Sequence, residues 1–177
     1  MKYVALLRGI NVGGNNKVEM ARLRALFERL GYTEVVTYIN SGNIVFATDE
    51  KDHHKLVAAI EAALKTEFNL DLKVVLRSAA EVNAICNELP KEWVNDSTMK
   101  CDIMFLWEEV DSADALEQVG LKRDIADVKY VPGAIIWRID RDKVTRGGAD
   151  KLIGSRIYKL MTIRNCNTVR KLQQLMS

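Results

Sequence analysis

Ten consecutive residues near the start, Arg8-Gly9-Ile10-Asn11-Val12-Gly13-Gly14-Asn15-Asn16-Lys17, concentrate groups that suit an anion, with a cation at each end and three glycines and three asparagines between. Glycines let a ligand approach the backbone N–H groups closely, and a helix starting after such a loop adds the positive end of its dipole. Phosphate or carboxylate is the chemistry that fits. Gly9 and Gly14 have the outer spacing of a P-loop, but Asn15 stands where that loop needs Lys and Asn16 where it needs Ser or Thr for magnesium. A Walker motif is therefore excluded, and so is G-x-G-x-x-G. The competing use of these residues is structural: the glycines turn the chain, Asn15 or Asn16 caps a helix, and Arg8 and Lys17 are solvated.

Two further polar runs share this character. Asn40-Ser41-Gly42-Asn43 has the composition of a hairpin turn. Thr162-Ile163-Arg164-Asn165-Cys166-Asn167-Thr168 leads into the last helical pattern, with Asn167 or Thr168 as its simplest N-cap and Arg164 and Asn165 as a guanidinium and amide beside a helix start. The candidate anion-binding residues are Arg8, Gly9, Asn11, Gly13, Gly14 and Lys17 in the first run, Ser41, Gly42 and Asn43 in the second, and Arg164, Asn165, Asn167 and Thr168 in the third. Arg8, Lys17 and Arg164 would supply charge, the glycines close backbone approach, and the Asn and Ser side chains orienting hydrogen bonds.

Other chemistry has weaker grounds. His53 and His54 are adjacent, so they cannot face one metal from a helix, and they read as surface residues. Ser41 lies in S-G-N, with no histidine placed by sequence to activate it. Glu108, Glu109, Asp111 and Asp114 complement a helix start rather than gather a metal, and Asp124 and Asp127 are equally unspecific. No metal or cofactor is expected, and no residue is assigned a catalytic role. The segment Asn43-Ile44-Val45-Phe46 offers one aromatic, too few for stacking readout of RNA bases.

The elements that must position these runs follow from hydrophobic periodicity. Residues 3–7 are a continuous apolar run, hence a buried strand; Met20, Leu23, Phe27 and Leu30 mark a helix stopped by Gly31. Residues 35–39 and 44–47 make a hairpin, residues 56–68 a helix and residues 72–77 a strand. This order, βαββαβ, is that of the ferredoxin-like split βαβ plan. There the first and second strands run parallel, so the loop after the first and the turn after the second leave the sheet at one end.

Ser78-Ala79-Ala80-Glu81 has capping-box spacing and predicts a further helix. Beyond it come a strand at 102–107, a helix at 111–119, a hairpin from 128–131 and 134–139, a helix bearing Leu152, Ile153, Ile157 and Leu160, and a last helix bearing Val169, Leu172 and Leu175. The expected organisation is α+β, two ferredoxin-like plaits in tandem: residues 1–89, a connector at 90–100, and residues 101–177. One continuous α+β sheet domain is the alternative.

Composition limits the partners. With 177 residues, 48% hydrophobic and 28% charged, the chain can bury a core without staples. Cys86, Cys101 and Cys166 are dispersed and odd in number, which suits a reducing cytoplasm and no disulfide framework. No segment approaches the roughly 20 apolar residues of a membrane span. The net charge of +2 conceals an asymmetry: residues 138–177 hold ten basic and three acidic side chains, a local excess that steers anions.

The runs A-L-L-R-G-I-N-V-G-G (5–14), T-Y-I-N-S-G-N (37–43) and T-I-R-N-C-N-T-V-R-K-L (162–172) closely resemble the bacterial DUF1697 family, a domain of unknown function. The resemblance spans nearly the whole chain and implies small α+β plaits in tandem and a set of marked polar positions, with no activity, substrate or cofactor attached. Many relatives carry an aromatic or other apolar residue in place of Cys166. The expected function is a cytoplasmic binding module for a phosphate-bearing ligand, a nucleotide or nucleic-acid phosphate. The alternatives are an enzyme acting on a phosphorylated small molecule or nucleotide through the same surface, or polar runs that are purely structural.

Overall fold

The apolar run after Met1 forms strand β1 (Lys2–Leu7), in which Tyr3 to Leu7 are wholly buried. Both faces of the strand are covered, as a run without polar alternation requires. A computed structural model describes all residues, 1–177. After β1 come α1 (Met20–Arg29), β2 (Thr33–Tyr38), β3 (Asn43–Ala47), α2 (His53–Phe68), β4 (Val74–Ser78) and α3 (Ala79–Asn87). The second half holds β5 (Met99–Leu106), a one-turn α4 (Ala115–Gln118), β6 (Ala126–Val131), β7 (Ala134–Asp140), α5 (Ala149–Gly154), β8 (Met161–Asn165) and α6 (Cys166–Met176).

The fold is mixed α+β with two four-stranded antiparallel sheets, ordered β2-β3-β1-β4 and β6-β7-β5-β8. Each half therefore has the same element order, βαββαβ, and the same strand order. By contacts the chain divides into two units, Met1–Ala80 with Leu172–Ser177, and Glu81–Lys171.

In the first unit, Tyr3, Ala5 and Leu7 of β1, Ile44 and Phe46 of β3 and Leu76 of β4 meet Leu23 and Phe27 of α1 and Leu56, Ile60 and Leu64 of α2. Phe46 is its aromatic centre, with ring centroids 4.5 Å from Tyr32, 5.3 Å from Phe27 and 5.9 Å from Tyr3. Emptying such a site by truncation costs about 3–5 kcal/mol. Gly31, at φ +85°, ends α1: its N–H reaches Glu28 O and that of Tyr32 reaches Phe27 O, the paired closure of a left-handed helix stop. Asp52 caps α2 by accepting from Lys55 N at 3.1 Å.

The second unit packs Met104 and Leu106 of β5 and Ile135, Trp137 and Ile139 of β7 against Ala115, Val119, Leu152 and Ile157. Three expectations fail here. The helix expected at 111–119 is a 3-10 turn (Glu108–Val110) and the single turn α4. The helix expected to carry Leu152 to Leu160 breaks at Ser155, whose extended backbone separates α5 from a 3-10 turn (Ile157–Leu160). The polar run from Thr162 is strand β8, paired with β5 from Asp102↔Asn165 to Leu106↔Met161. A strand with Thr162 and Arg164 buried on one face hides its apolar alternation.

Candidate functional site

Residues 8–17 form a tight excursion from the end of β1. Asn15 N donates to Val12 O at 3.0 Å and Asn11 N to Asn16 O at 3.1 Å, so residues 11–16 are a miniature hairpin. Its centre, Gly13 and Gly14, has φ of +59° and +78°, the two left-handed positions that a type I′ turn needs. Gly9, Asn11 and Asn16 also have positive φ. Asparagine tolerates that conformation better than any other residue with a side chain except aspartate.

The asparagines brace this loop. Asn11 Nδ2 donates to Val18 O at 2.9 Å and to Asn40 O at 2.8 Å, while its Oδ1 accepts from Val18 N at 2.9 Å. Asn16 Nδ2 donates to Gly9 O at 2.9 Å. Neither Asn15 nor Asn16 caps α1, contrary to the structural use open to them in the sequence. Residues 17–19 intervene, and Glu19 holds the cap position without a side-chain bond. The helix therefore starts too late for its first N–H groups to belong to the Gly-Asn turn.

The second run joins the first. Leu6 lies opposite Asn43, and Leu7 N donates to Gly42 O at 2.9 Å, so the β2–β3 turn and the β1 exit share one end of the sheet, as the element order requires. A Cβ on Gly42 would come within 2.8 Å of both Leu7 Cβ and Ile10 Cδ1. Only glycine lets the turn press this closely on the loop's root. Asn43 is wholly buried, and its amide donates to Tyr38 O at 2.9 Å and Ser41 Oγ at 3.0 Å. The side chain of Asn43 holds the turn's shape.

Gly9, Val12, Gly13, Gly14 and Lys17 are exposed, and the N–H groups of Gly13, Gly14 and Lys17 enter no hydrogen bond within the protein. Lys17 enters no ion pair, and Arg8 is half-buried at the loop's base, its N–H 3.4 Å from Lys73 O. Successive N–H groups in a turn conformation can form concavities that bind anions.

The third run belongs to the second unit. Arg164, 7% exposed, donates through Nη1 to Thr162 Oγ1 and to Ile163 O, both at 2.9 Å, and burial lowers its pKa to about 10. Asn165, not Asn167 or Thr168, caps α6: its Oδ1 accepts from Thr168 N at 2.9 Å. Because β8 runs to Asn165, the cap falls two or three residues earlier than a polar-loop reading gives. Asn167 instead reaches the connector, donating to Asn95 O at 2.9 Å, and Thr168 is buried.

Several residues carry more than the sequence reading gave them. Arg170 spans the connector, with Nη1 2.6 Å from Trp93 O and Nη2 2.7 Å from Pro90 O. Asp111 accepts from Gly133 N at 2.8 Å and Tyr130 OH at 3.0 Å, bracing the second unit's turn rather than a helix start. His53 is half-buried with its ring edge-on to Tyr3 at 5.3 Å, while His54 is exposed. No helix is long and apolar enough to cross a membrane.

The family model "Protein of unknown function (DUF1697)" matches residues 1–137. Among solved structures, the conserved bacterial protein SP0830 from Streptococcus pneumoniae superposes with a TM-score of 0.85 at 30% identity, covering 99% of this chain and 98% of that one. No curated protein matches the chain. A family match over most of the sequence, including the Gly-Asn loop and the turn that buttresses it, makes this chain a member of the DUF1697 family.

Proposed function

We propose that the protein is a binding module for a phosphate-bearing ligand, a nucleotide or nucleic-acid phosphate, acting in the cytoplasm on two ferredoxin-like plaits. The observation that carries this reading is the set of exposed, unbonded N–H groups at Gly13, Gly14 and Lys17, on a turn with two left-handed glycines that is followed in the chain by the lysine. Exposed N–H groups beside a cation are complementary to phosphate oxygens. Asn11, tied to Val18 and Asn40, keeps the loop shaped before any ligand arrives, which lowers the ordering cost of binding. The basic surplus of residues 138–177 favours encounter with polyanions. In this reading Arg164, Asn165, Asn167 and Thr168 build the second unit's frame, and ligand contact rests on the first two runs.

Amide NMR titration with inorganic phosphate, a nucleoside triphosphate and a short single-stranded RNA tests the reading. Saturable shifts at Gly13, Gly14 and Lys17 are expected with at least one probe, weakened about tenfold by Lys17→Glu, the loss of one charge-assisted contact. Unmoved loop amides at millimolar concentrations of all three probes would refute it.

A further inference from the structure

Two apolar side chains stand exposed where the Gly-Asn loop meets the β2–β3 turn. Val12 is 67% and Ile39 50% exposed, and neither belongs to the first unit's core. Each is the chain neighbour of a residue in one hydrogen bond, in which Asn11 Nδ2 donates to Asn40 O at 2.8 Å and ties the loop to the turn. A single exposed aliphatic residue is ordinary; the backbone of Ile39 is not.

Ile39 has φ +49°, in the left-handed region, and is the one β-branched residue among the five non-glycine residues there; the others are three asparagines and a glutamate. Elsewhere in these two loops Gly or Asn fills that conformation, at Gly9, Asn11, Gly13, Gly14, Asn16 and Gly42. A β-branched side chain in it is an outlier, held against its own preference by the surrounding structure, and such strain gathers at ligand sites. The turn that imposes it is also longer than strand pairing demands. Four residues separate the paired Tyr38 and Asn43, whereas two separate Val131 and Ala134 in the second unit's hairpin. The longer turn carries Asn40 to Asn11 and leaves Ile39 half in water.

We propose that Val12 and Ile39 form an apolar platform for the base of a nucleoside phosphate whose phosphate group lies on the N–H groups of Gly13, Gly14 and Lys17. It rests on the phosphate reading of this loop and narrows the ligand from any phosphate to one that carries a nucleobase. A base has two flat apolar faces and a polar edge. Aliphatic side chains cover a face and exclude water from it, while the exposed amides of Asn15 and Asn40 offer donors and acceptors to the edge. Inorganic phosphate and sugar phosphates have no such face, so Val12 and Ile39 add nothing to their binding. Anion site and platform share one support, since Asn11 shapes the loop through Val18 and holds the turn through Asn40.

NMR titration of the whole chain with ribose 5-phosphate, adenosine 5′-monophosphate and a short single-stranded RNA tests the platform. The mononucleotide should bind about tenfold more tightly than ribose 5-phosphate, the effect of covering one apolar face. Methyl signals of Val12 and Ile39 should shift with the nucleotide and stay still with ribose 5-phosphate. In Ile39→Ser the ratio of the two affinities should fall to near one. Ile39→Gly should lose the same ratio while its urea midpoint stays at or above that of the wild type, because glycine accepts left-handed backbone without strain. RNA binding more tightly than the mononucleotide, with the same dependence on Ile39, assigns the platform to a nucleic acid, and the reverse order to a free nucleotide. Equal affinity for the two small phosphates would overturn the platform and leave the phosphate reading standing, whereas no saturable binding of any probe would sink both. A base preference that survives Ile39→Ser would also overturn the proposal. So would a lowered midpoint for Ile39→Gly, by making packing the reason for the isoleucine.

Discussion

Arg77 and Arg164 are counterparts, each the penultimate residue of an edge strand that runs directly into a helix. Arg77 lies opposite Val4 and Arg164 opposite Ile103, and each sends Nη1 to the carbonyl just before it, Leu76 O at 2.8 Å and Ile163 O at 2.9 Å. The segments L-R-S-A-A-E-V and I-R-N-C-N-T-V thus perform one operation twice, closing a sheet edge and launching a helix. A buried guanidinium is expensive to desolvate, as the lowered Arg164 pKa records, so its place in the strand depends on the acceptors around it.

Replacing Arg164 by Ala should therefore destabilise the protein, by about 1.5–3 kcal/mol for a charged hydrogen-bonding group. Arg164→Lys should recover only part of this, because an ammonium is more strongly hydrated, and so costlier to bury, than the guanidinium whose Nη1 meets both Thr162 Oγ1 and Ile163 O. Urea unfolding of the two variants measures this. Equal stability for Arg164→Lys and wild type would show that charge alone suffices.

Gly42→Ala should destabilise by about 1–3 kcal/mol. The new methyl would sit 2.8 Å from Leu7 Cβ, which is fixed to the central strand, at a backbone φ of +78°. Gly13→Ala, with nothing within 4 Å, tests the φ requirement without the clash and should lose less. Comparing their urea midpoints separates collision from backbone strain.

Asn165→Ala removes the α6 cap and should cost about 1 kcal/mol, with faster amide exchange at Thr168. Asn167→Ala should leave that amide protected and instead loosen the connector around Asn95.

Glu50 carries a pH prediction. Its carboxylate accepts a hydrogen bond from the Lys55 ammonium, and also from Asp52 N and Lys51 N, holding its pKa at about 2 against the usual 4.5. A depressed carboxylate pKa stabilises the fold above the unfolded value, and that contribution is lost as pH falls from 4.5 towards 2. Lys55→Met should move the Glu50 carboxyl titration, followed by carbon NMR, upward towards its usual range, and flatten the acid limb of the stability curve.

The first half was largely legible in the sequence because each local signal agreed with its neighbours. The unbroken run at Tyr3–Leu7 marked a strand covered on both faces, Gly31 marked a helix stop, and the Asn40–Asn43 turn followed from composition. The convergence of that turn on the Gly-Asn loop followed from element order. The second half was less transparent. Strand β8 buries Thr162 and Arg164, so its inward face looks polar, and Asn165 was hidden as a cap because the strand before it was unseen. The helices around Leu152 shared one apolar face that conceals the break at Ser155.

The bond from Leu7 N to Gly42 O has a twin in the second unit, Leu106 N to Gly133 O at 3.0 Å. In both halves the central strand is latched to the hairpin turn through main-chain atoms alone, so the latch is indifferent to the chain that leaves it. In one half that chain is a cationic glycine-asparagine loop; in the other it is the acidic stretch Glu108, Glu109 and Asp111. The main-chain socket is thus common to both halves, while the chain leaving it carries opposite charge in the two.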